Sequence, residues 1–141
     1  MRILVPVDGS GNALRALDYA ISTRDLYRDP IEIHLLNAQR PVVSGNVRAF
    51  ISQEQLHNYY QEEGTTALKT ARARLNGSGI AHSAHVAVGE EAASICQYAA
   101  QHDCKLIVMG TRGMGNIANL LLGSVATKVV QLAPIPVVLV K

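Results

Sequence analysis

The chain has 141 residues, of which 48% are hydrophobic and 17% charged, and its formal net charge is +2. This composition excludes a disordered chain, and the length suits one domain, residues 1–141, with its own core. No apolar run reaches the roughly 18 residues of a membrane span, and neither a secretory signal nor a disulfide framework is indicated, so we expect a cytoplasmic protein. The sequence has no basic stripe with interleaved aromatic residues, so we expect no nucleic-acid binding.

Strand-like and helix-like segments alternate along the first half of the chain. Residues 3–7 form a β-rich run that ends at the turn Asp8-Gly9-Ser10, and apolar residues at helical spacing then continue to about residue 27. A second apolar run at 31–36 precedes residues 37–52, which we expect to form a long, mobile loop. A helix over 53–75, with Gly64 expected to bend it, and a strand within 80–88 follow.

The alternation continues to the C-terminus. Glu90 and Glu91 open a helix, where their negative charge complements the helix dipole. A strand at 106–109, a glycine-rich stretch at 110–124, a helix at 124–132 and a strand at 137–140 complete the chain. The strands are continuously apolar, which predicts an α/β fold with a parallel sheet and helices on both faces.

Open parallel sheets bind ligands beyond the carboxyl ends of their strands. The glycine-rich stretch follows the fourth strand, and its last two residues, Gly123-Ser124, open a helix whose free N–H groups favour phosphate. We expect the Ser124 hydroxyl to cap this helix or to donate to a phosphate, and Ser10 to cap the first helix. No acidic residue follows Asp103, although a mostly buried C-terminal third would also carry few charges.

Other phosphate and metal motifs fit less well. A Walker A loop needs a lysine directly after its last glycine, and no lysine follows any of these glycines. The residues 113–118 match the pattern GxGxxA, but a dinucleotide site also needs an acidic residue about 20 positions later, and none is present. The histidines predict no metal site, because His82 and His85 would face opposite sides of a strand while His57 and His102 would lie on helix surfaces. No GxSxG motif supports a hydrolase triad.

The spacing Gly110-x2-Gly113-x9-Gly123-Ser124 resembles the ATP-binding signature of universal stress proteins. The resemblance extends to Val5-Pro6-Val7-Asp8-Gly9-Ser10 and to residues 136–140, and so covers the whole chain. It implies a three-layer fold like that of the adenine nucleotide alpha hydrolases. Its five-stranded parallel sheet would have the order 3-2-1-4-5.

The resemblance also implies roles around the base and the ribose. Pro6 and Val7 would line the base pocket, and Met109 would pack beside the base. The backbone of Asn37 and Ala38 would contact the adenine edge, although the family commonly has an apolar residue at position 37. Asp8 would contact the ribose or a metal ion near the phosphates; alternatively, it is only a turn residue.

The same resemblance places the phosphates against the glycine-rich stretch. Gly110, Arg112 and Gly113 would approach the ribose and phosphates, with solvation as the alternative for Arg112. Gly123, Ser124 and Val125 would hold the outer phosphates through N–H groups and the Ser124 hydroxyl. Arg40 or Arg48 could clamp a ligand from the 37–52 segment, or that segment could be a plain surface loop.

The resulting functional prediction is an ATP-binding regulator of the stress response, with Mg²⁺ at Asp8 and no assigned catalytic residue. AMP or ADP is the alternative nucleotide, and an AMP-binding signalling module is the alternative role. A slow ATPase or autokinase is the enzymatic alternative, with at most weak turnover. The resemblance further implies a homodimer paired through the edge strand 137–140.

Overall fold

The computed structural model describes residues 1–42, 45–113 and 121–141, without the side chains of Val47 and Arg48. In these ranges five parallel strands form one sheet in the order β3-β2-β1-β4-β5. Their bounds are β1 Arg2–Pro6, β2 Glu32–Gln39, β3 Ala81–Val88, β4 Leu106–Gly110 and β5 Val137–Val140. The predicted sheet and its strand order are confirmed.

Helices cover both faces of the sheet. In the described ranges they are α1 Gly11–Ser22, α2 Gly45–Phe50, α3 Gln53–Asn76, α4 Glu91–Gln101 and α5 Ser124–Leu132, with a 3-10 turn at Arg24–Leu26. One apolar cluster joins the sheet to α1 and α3, and a second joins it to α4 and α5. None of these described helices is long and apolar enough to cross a bilayer.

The strand order creates the crevice in which a ligand can lie. β1 pairs with β2 on one side and with β4 on the other, so the chain connections leave β1 and β4 in opposite directions. Adjacent connections of this kind diverge at the carboxyl ends of the strands and leave a gap between them. The segments after β1, β2 and β4 meet at that gap.

Side-chain caps set the starts of three helices. Ser10 caps α1 by accepting a hydrogen bond from the N–H of Ala13, as predicted. Ser52 caps α3 in a reciprocal capping box with Gln55. Glu90 caps α4 by accepting a hydrogen bond from the N–H of Ala93. This hydrogen bond holds the pKa of the Glu90 carboxyl below its ordinary value.

Two segments differ from the prediction. The prediction of a loop over residues 37–52 is wrong at both ends, because β2 continues to Gln39 and α2 occupies Gly45–Phe50. The first helix ends at Ser22, where the N–H of Thr23 donates to Ile21 and Tyr19, and a separate 3-10 turn follows. Gly64, expected to bend α3, instead allows close packing, since a Cβ there would lie 2.3 Å from Cγ2 of Val86.

Candidate functional site

A cavity of about 580 Å³ opens at the carboxyl ends of β1, β2 and β4. Every residue that the sequence predicted for the site lies on its wall. These residues are Pro6, Val7, Asp8, Asn37, Ala38, Met109, Gly110, Arg112, Gly113, Gly123, Ser124 and Val125. The fold therefore brings together groups that are as far as 119 positions apart in sequence, which is the separation from Pro6 to Val125.

One end of the cavity is formed by the start of α5. Its first three N–H groups, those of Ser124, Val125 and Ala126, make no hydrogen bond within the described part of the chain. All three residues line the cavity. Unpaired N–H groups at a helix start carry partial positive charge, so this end favours an anion.

Two predicted details at this end require correction. The N–H of Gly123 donates to the carbonyl of Thr111 at 2.6 Å, so that amide is not available to a phosphate. Gly123 is itself the N-cap, and Ser124 is the first residue inside the helix rather than its cap. The exposed Ser124 hydroxyl makes no hydrogen bond with described residues, which leaves it able to donate to a ligand.

Two glycines bring the chain close to its neighbours beside the cavity. A Cβ at Gly110 would lie 2.9 Å from Cβ of Asn12 and 3.0 Å from the Asn12 backbone, so glycine here allows α1 to pack against β4. A Cβ at Gly113 would lie 2.8 Å from Oδ2 of Asp8. Gly110 therefore serves packing as well as ligand approach, while Gly113 leaves room for the Asp8 carboxylate. Residues 114–120 of the predicted glycine-rich stretch lie outside the described residues.

The exposed carboxylate of Asp8 has a structural role in the turn and also faces the cavity. Its Oδ1 accepts the N–H of Ser10 at 2.9 Å, which fixes the turn, while the side chain also lines the cavity. Arg112 also lines the cavity and makes no ion pair or hydrogen bond with the residues that the structure describes. The described residues contain no group of three potential ligands placed to hold a metal ion.

The opposite end of the cavity is formed by the end of β2. Peptide groups of a parallel strand alternate between its two neighbours, and Gln39 bonds towards β3 through its carbonyl and the N–H of Gly89. Ala38 consequently presents its N–H and C=O towards the side where β1 has ended. On that side neither group is bonded to a described residue, so a donor and an acceptor lie next to each other on the cavity wall.

Sequence reasoning missed several residues that reach the cavity from the helices. Glu63 and Ala67 of α3 and Glu91 of α4 line it, and so does Gln39 at the end of β2. Arg40, the candidate clamp, also lines the cavity, and its Nε lies 2.7 Å from Oε1 of Glu91. The other proposed clamp, Arg48, has a side chain outside the described set.

The chain matches a known family and known structures. The universal stress protein family model matches residues 1–141. A universal stress protein from Methanocaldococcus jannaschii is 32% identical over 99% of this chain and 81% of its own length. The structure of the hypothetical protein MJ0577 is similar with a TM-score of 0.85, 27% identity and coverage of 99% of this chain and 94% of the other. The Archaeoglobus fulgidus universal stress protein in complex with dAMP has a TM-score of 0.70 and 25% identity, with coverage of 100% and 98%.

Proposed function

Because this chain belongs to the universal stress protein family, we propose that it binds an adenine nucleotide, ATP foremost, and that occupancy of the site regulates its interactions during stress. The observation that carries the proposal is the placement of unpaired backbone polar groups at the two ends of the cavity. Unpaired N–H groups of α5 stand at one end, and the unpaired donor and acceptor of Ala38 stand at the other. The similar Archaeoglobus fulgidus protein, solved with dAMP, supports a nucleotide with an adenine base.

The two ends suit the two parts of a nucleotide. The N–H groups of Ser124 and Val125 and the positive end of the helix dipole would hold the phosphates, with Arg112 adding positive charge. The Ala38 peptide can accept from the amino group of adenine and donate to the neighbouring ring nitrogen. Pro6, Val7 and Met109 supply the apolar walls on which a purine ring would pack.

A divalent cation fits this site only together with the nucleotide. Mg²⁺ is commonly held by one or two carboxylates together with substrate phosphates, and Asp8 is a cavity carboxylate whose Oδ2 has no partner among the described residues. We therefore propose that Asp8 contacts Mg²⁺ carried by the phosphates, or the ribose. The cation would neutralise phosphate charge and so reduce repulsion between that charge and Asp8.

Thermal unfolding in the presence of nucleotides tests the proposal. Ligand at about a hundredfold excess over Kd stabilises the folded state by about 2.7 kcal/mol, so ATP should raise the melting temperature clearly. Gly113→Ala should lower ATP affinity about tenfold, because the new Cβ displaces the Asp8 carboxylate. Gly45→Ala is the matched control, since no atom lies within 4 Å of its new Cβ. A melting temperature unchanged by millimolar ATP, ADP and AMP would refute the proposal.

The identity of the natural nucleotide and the question of turnover need two more measurements. The chain has no Trp, so a co-purified nucleotide would dominate its absorbance near 260 nm and could be identified after denaturation. ATP hydrolysis and autophosphorylation should be followed in Asp8→Asn. Loss of turnover with binding retained would favour the slow enzyme, whereas absence of turnover in the unaltered protein would favour a binding role alone.

A further inference from the structure

Asn37 is a buried polar residue inside β2, at the base end of the cavity. The residue is only 5% exposed, and a buried amide in a strand is costly unless its hydrogen bonds are satisfied. Here they are satisfied, because Nδ2 donates to the carbonyl of Val7 at 2.9 Å and Oδ1 accepts from Nε2 of Gln39 at 2.8 Å. The side chain thus connects the end of β1 to the end of β2.

Asn37 donates to the same Val7 carbonyl that would otherwise extend the sheet. The β1–β2 ladder continues past β1 through the N–H of Val7, which donates to Leu36 at 2.8 Å. The next ladder bond of a parallel pair would run from the N–H of Ala38 to the carbonyl of Val7. That bond is not formed, and the carbonyl of Val7 accepts from Asn37 instead.

Neighbouring groups fix the orientation of the Asn37 amide. Nε2 of Gln39 donates both to Oδ1 of Asn37 and to the carbonyl of Tyr60 in α3, at 2.9 Å. A flipped Asn37 amide would place its oxygen against the carbonyl of Val7 and its nitrogen against a donor, so one orientation is strongly favoured. The hydroxyl of Tyr60 in turn accepts the N–H of Val42, which ties the next segment to the same network.

We propose that Asn37 is a positioning residue for base recognition: it engages the Val7 carbonyl and thereby keeps the Ala38 peptide open to the base. This inference rests on the proposed function, since it concerns the part of the ligand that Ala38 contacts. An apolar residue at position 37 would leave the Val7 carbonyl free to close the ladder onto Ala38. The base would then have to break that bond before binding.

Asn37→Leu tests the proposal through two measurements. A mere loss of packing would not change both of them in the way that the proposal predicts. In the ligand-free protein, amide exchange at Ala38 should slow at least tenfold, because its N–H gains the Val7 carbonyl. ATP affinity should fall about tenfold, while affinity for inorganic triphosphate, which has no base, should change less than twofold. Asn58→Leu, an exposed change of the same type in α3, is the control and should alter neither readout.

The outcomes separate this inference from the proposed function. Unchanged Ala38 exchange together with an unchanged ratio of ATP to triphosphate affinity would overturn the role of Asn37 while nucleotide binding stands. If the unaltered protein binds neither ATP nor triphosphate, the proposed function fails, and exchange at Ala38 still decides whether Asn37 keeps that peptide open. Should Asn37→Leu not fold, Asn37→Ala removes the same donor without added volume and should shift both readouts in the same direction.

Discussion

At the scale of single residues, a cluster of aromatic and histidine side chains lies between the sheet and α4. Nδ1 of His34 lies 2.8 Å from the hydroxyl of Tyr98, and its Nε2 lies 2.9 Å from Oε1 of Glu32. The His102 ring stacks on Tyr98 with centroids 3.8 Å apart, and the exposed His85 ring stacks on His34 at 6.2 Å. Because a carboxylate only accepts, Nε2 of His34 donates to Glu32, and Nδ1 of the neutral ring then accepts from the Tyr98 hydroxyl. The prediction that His102 lies simply on a helix surface is therefore wrong, because its half-buried ring belongs to this cluster.

This cluster makes stability depend on pH in two ranges. Burial raises the pKa of Tyr98 to about 12. The contribution of Tyr98 to the free energy of unfolding is therefore fully present below its unfolded pKa of 10.0 and is lost as the pH rises from 10 to 12. Partial desolvation within the cluster, followed by repulsion from His34 and His102, lowers the pKa of His85 below 6.5, so the contribution of His85 to stability is lost as the pH falls below 6.5. Urea unfolding should give a plateau near pH 8, a Tyr98→Phe variant should lose part of the decrease between pH 10 and 12, and Tyr59→Phe should keep it. Burial also raises the pKa values of Cys96 and Cys104, so a further alkaline decrease is common to all three proteins. An alkaline decrease equal in all three proteins would contradict this assignment.

How far sequence predicts the site depends on the kind of residue. The residues of the proposed phosphate end were predicted because glycines and a helix start are local signals, readable at Gly113 and Gly123 without knowledge of packing. Glu63 and Glu91 were missed because they reach the cavity only through the way α3 and α4 pack, which no local pattern reports. Asn37 was noticed as a departure from the family, but its partners Val7 and Gln39 become evident only when β1 and β2 are paired.

At the scale of elements, Gly64 sets how closely α3 approaches β3. In Gly64→Ala, the new Cβ would lie 2.3, 3.0 and 3.2 Å from three side-chain atoms of Val86, so the helix or the strand has to move. Overpacking of this kind costs about 1–3 kcal/mol, which exceeds the roughly 1 kcal/mol gained in helix propensity. We expect a net loss of about 1 kcal/mol in the free energy of unfolding, measured with urea.

A double-mutant cycle identifies the contact responsible. In a Val86→Ala background the space beside Gly64 opens. The loss in the free energy of unfolding caused by Gly64→Ala should therefore become smaller or turn into a gain. Gly77→Ala at the C-cap of the same helix is the control, because no atom lies within 4 Å of its new Cβ. An equal cost of Gly64→Ala in both backgrounds would mean that Val86 is not the obstacle.

Element boundaries followed from sequence where the signals were local. Helix α5 and strand β5 lie at the predicted residues, since Gly123-Ser124 and Pro134 bound the helix clearly. The segment 37–52 was assigned to a loop because it contains Pro41, Ser44 and Gly45. The hydrogen bonds of Asn37 and Gln39 to Val7, to each other and to Tyr60 nevertheless accompany a β2 strand that continues to Gln39. Tertiary contacts thus overrode the local composition.

At the scale of the whole molecule, β5 forms one edge of the sheet and leaves a row of peptide groups without a neighbouring strand. Ile107 bonds to the carbonyl of Pro136, and Thr111 bonds to the carbonyl of Val140, so the peptide groups of Val137 and Leu139 face outward. Four consecutive apolar residues on an open edge support the proposal, made from the sequence, of a homodimer that would pair this edge across a two-fold axis.

Substitutions at one position can distinguish backbone pairing from side-chain packing in this proposed dimer. Leu139→Pro removes an outward N–H but no bond to β4, so light scattering at tens of micromolar should show a monomer that still unfolds cooperatively. Leu139→Ala retains the N–H and should stay dimeric, because pairing at the edge depends on the main chain. A monomeric unaltered protein at that concentration, or dissociation by Leu139→Ala as complete as by Leu139→Pro, would argue against edge pairing. In the paired arrangement the cavities lie at the carboxyl ends of the strands and not on the β5 edge, so ATP affinity should be the same in the monomeric variant and in the dimer.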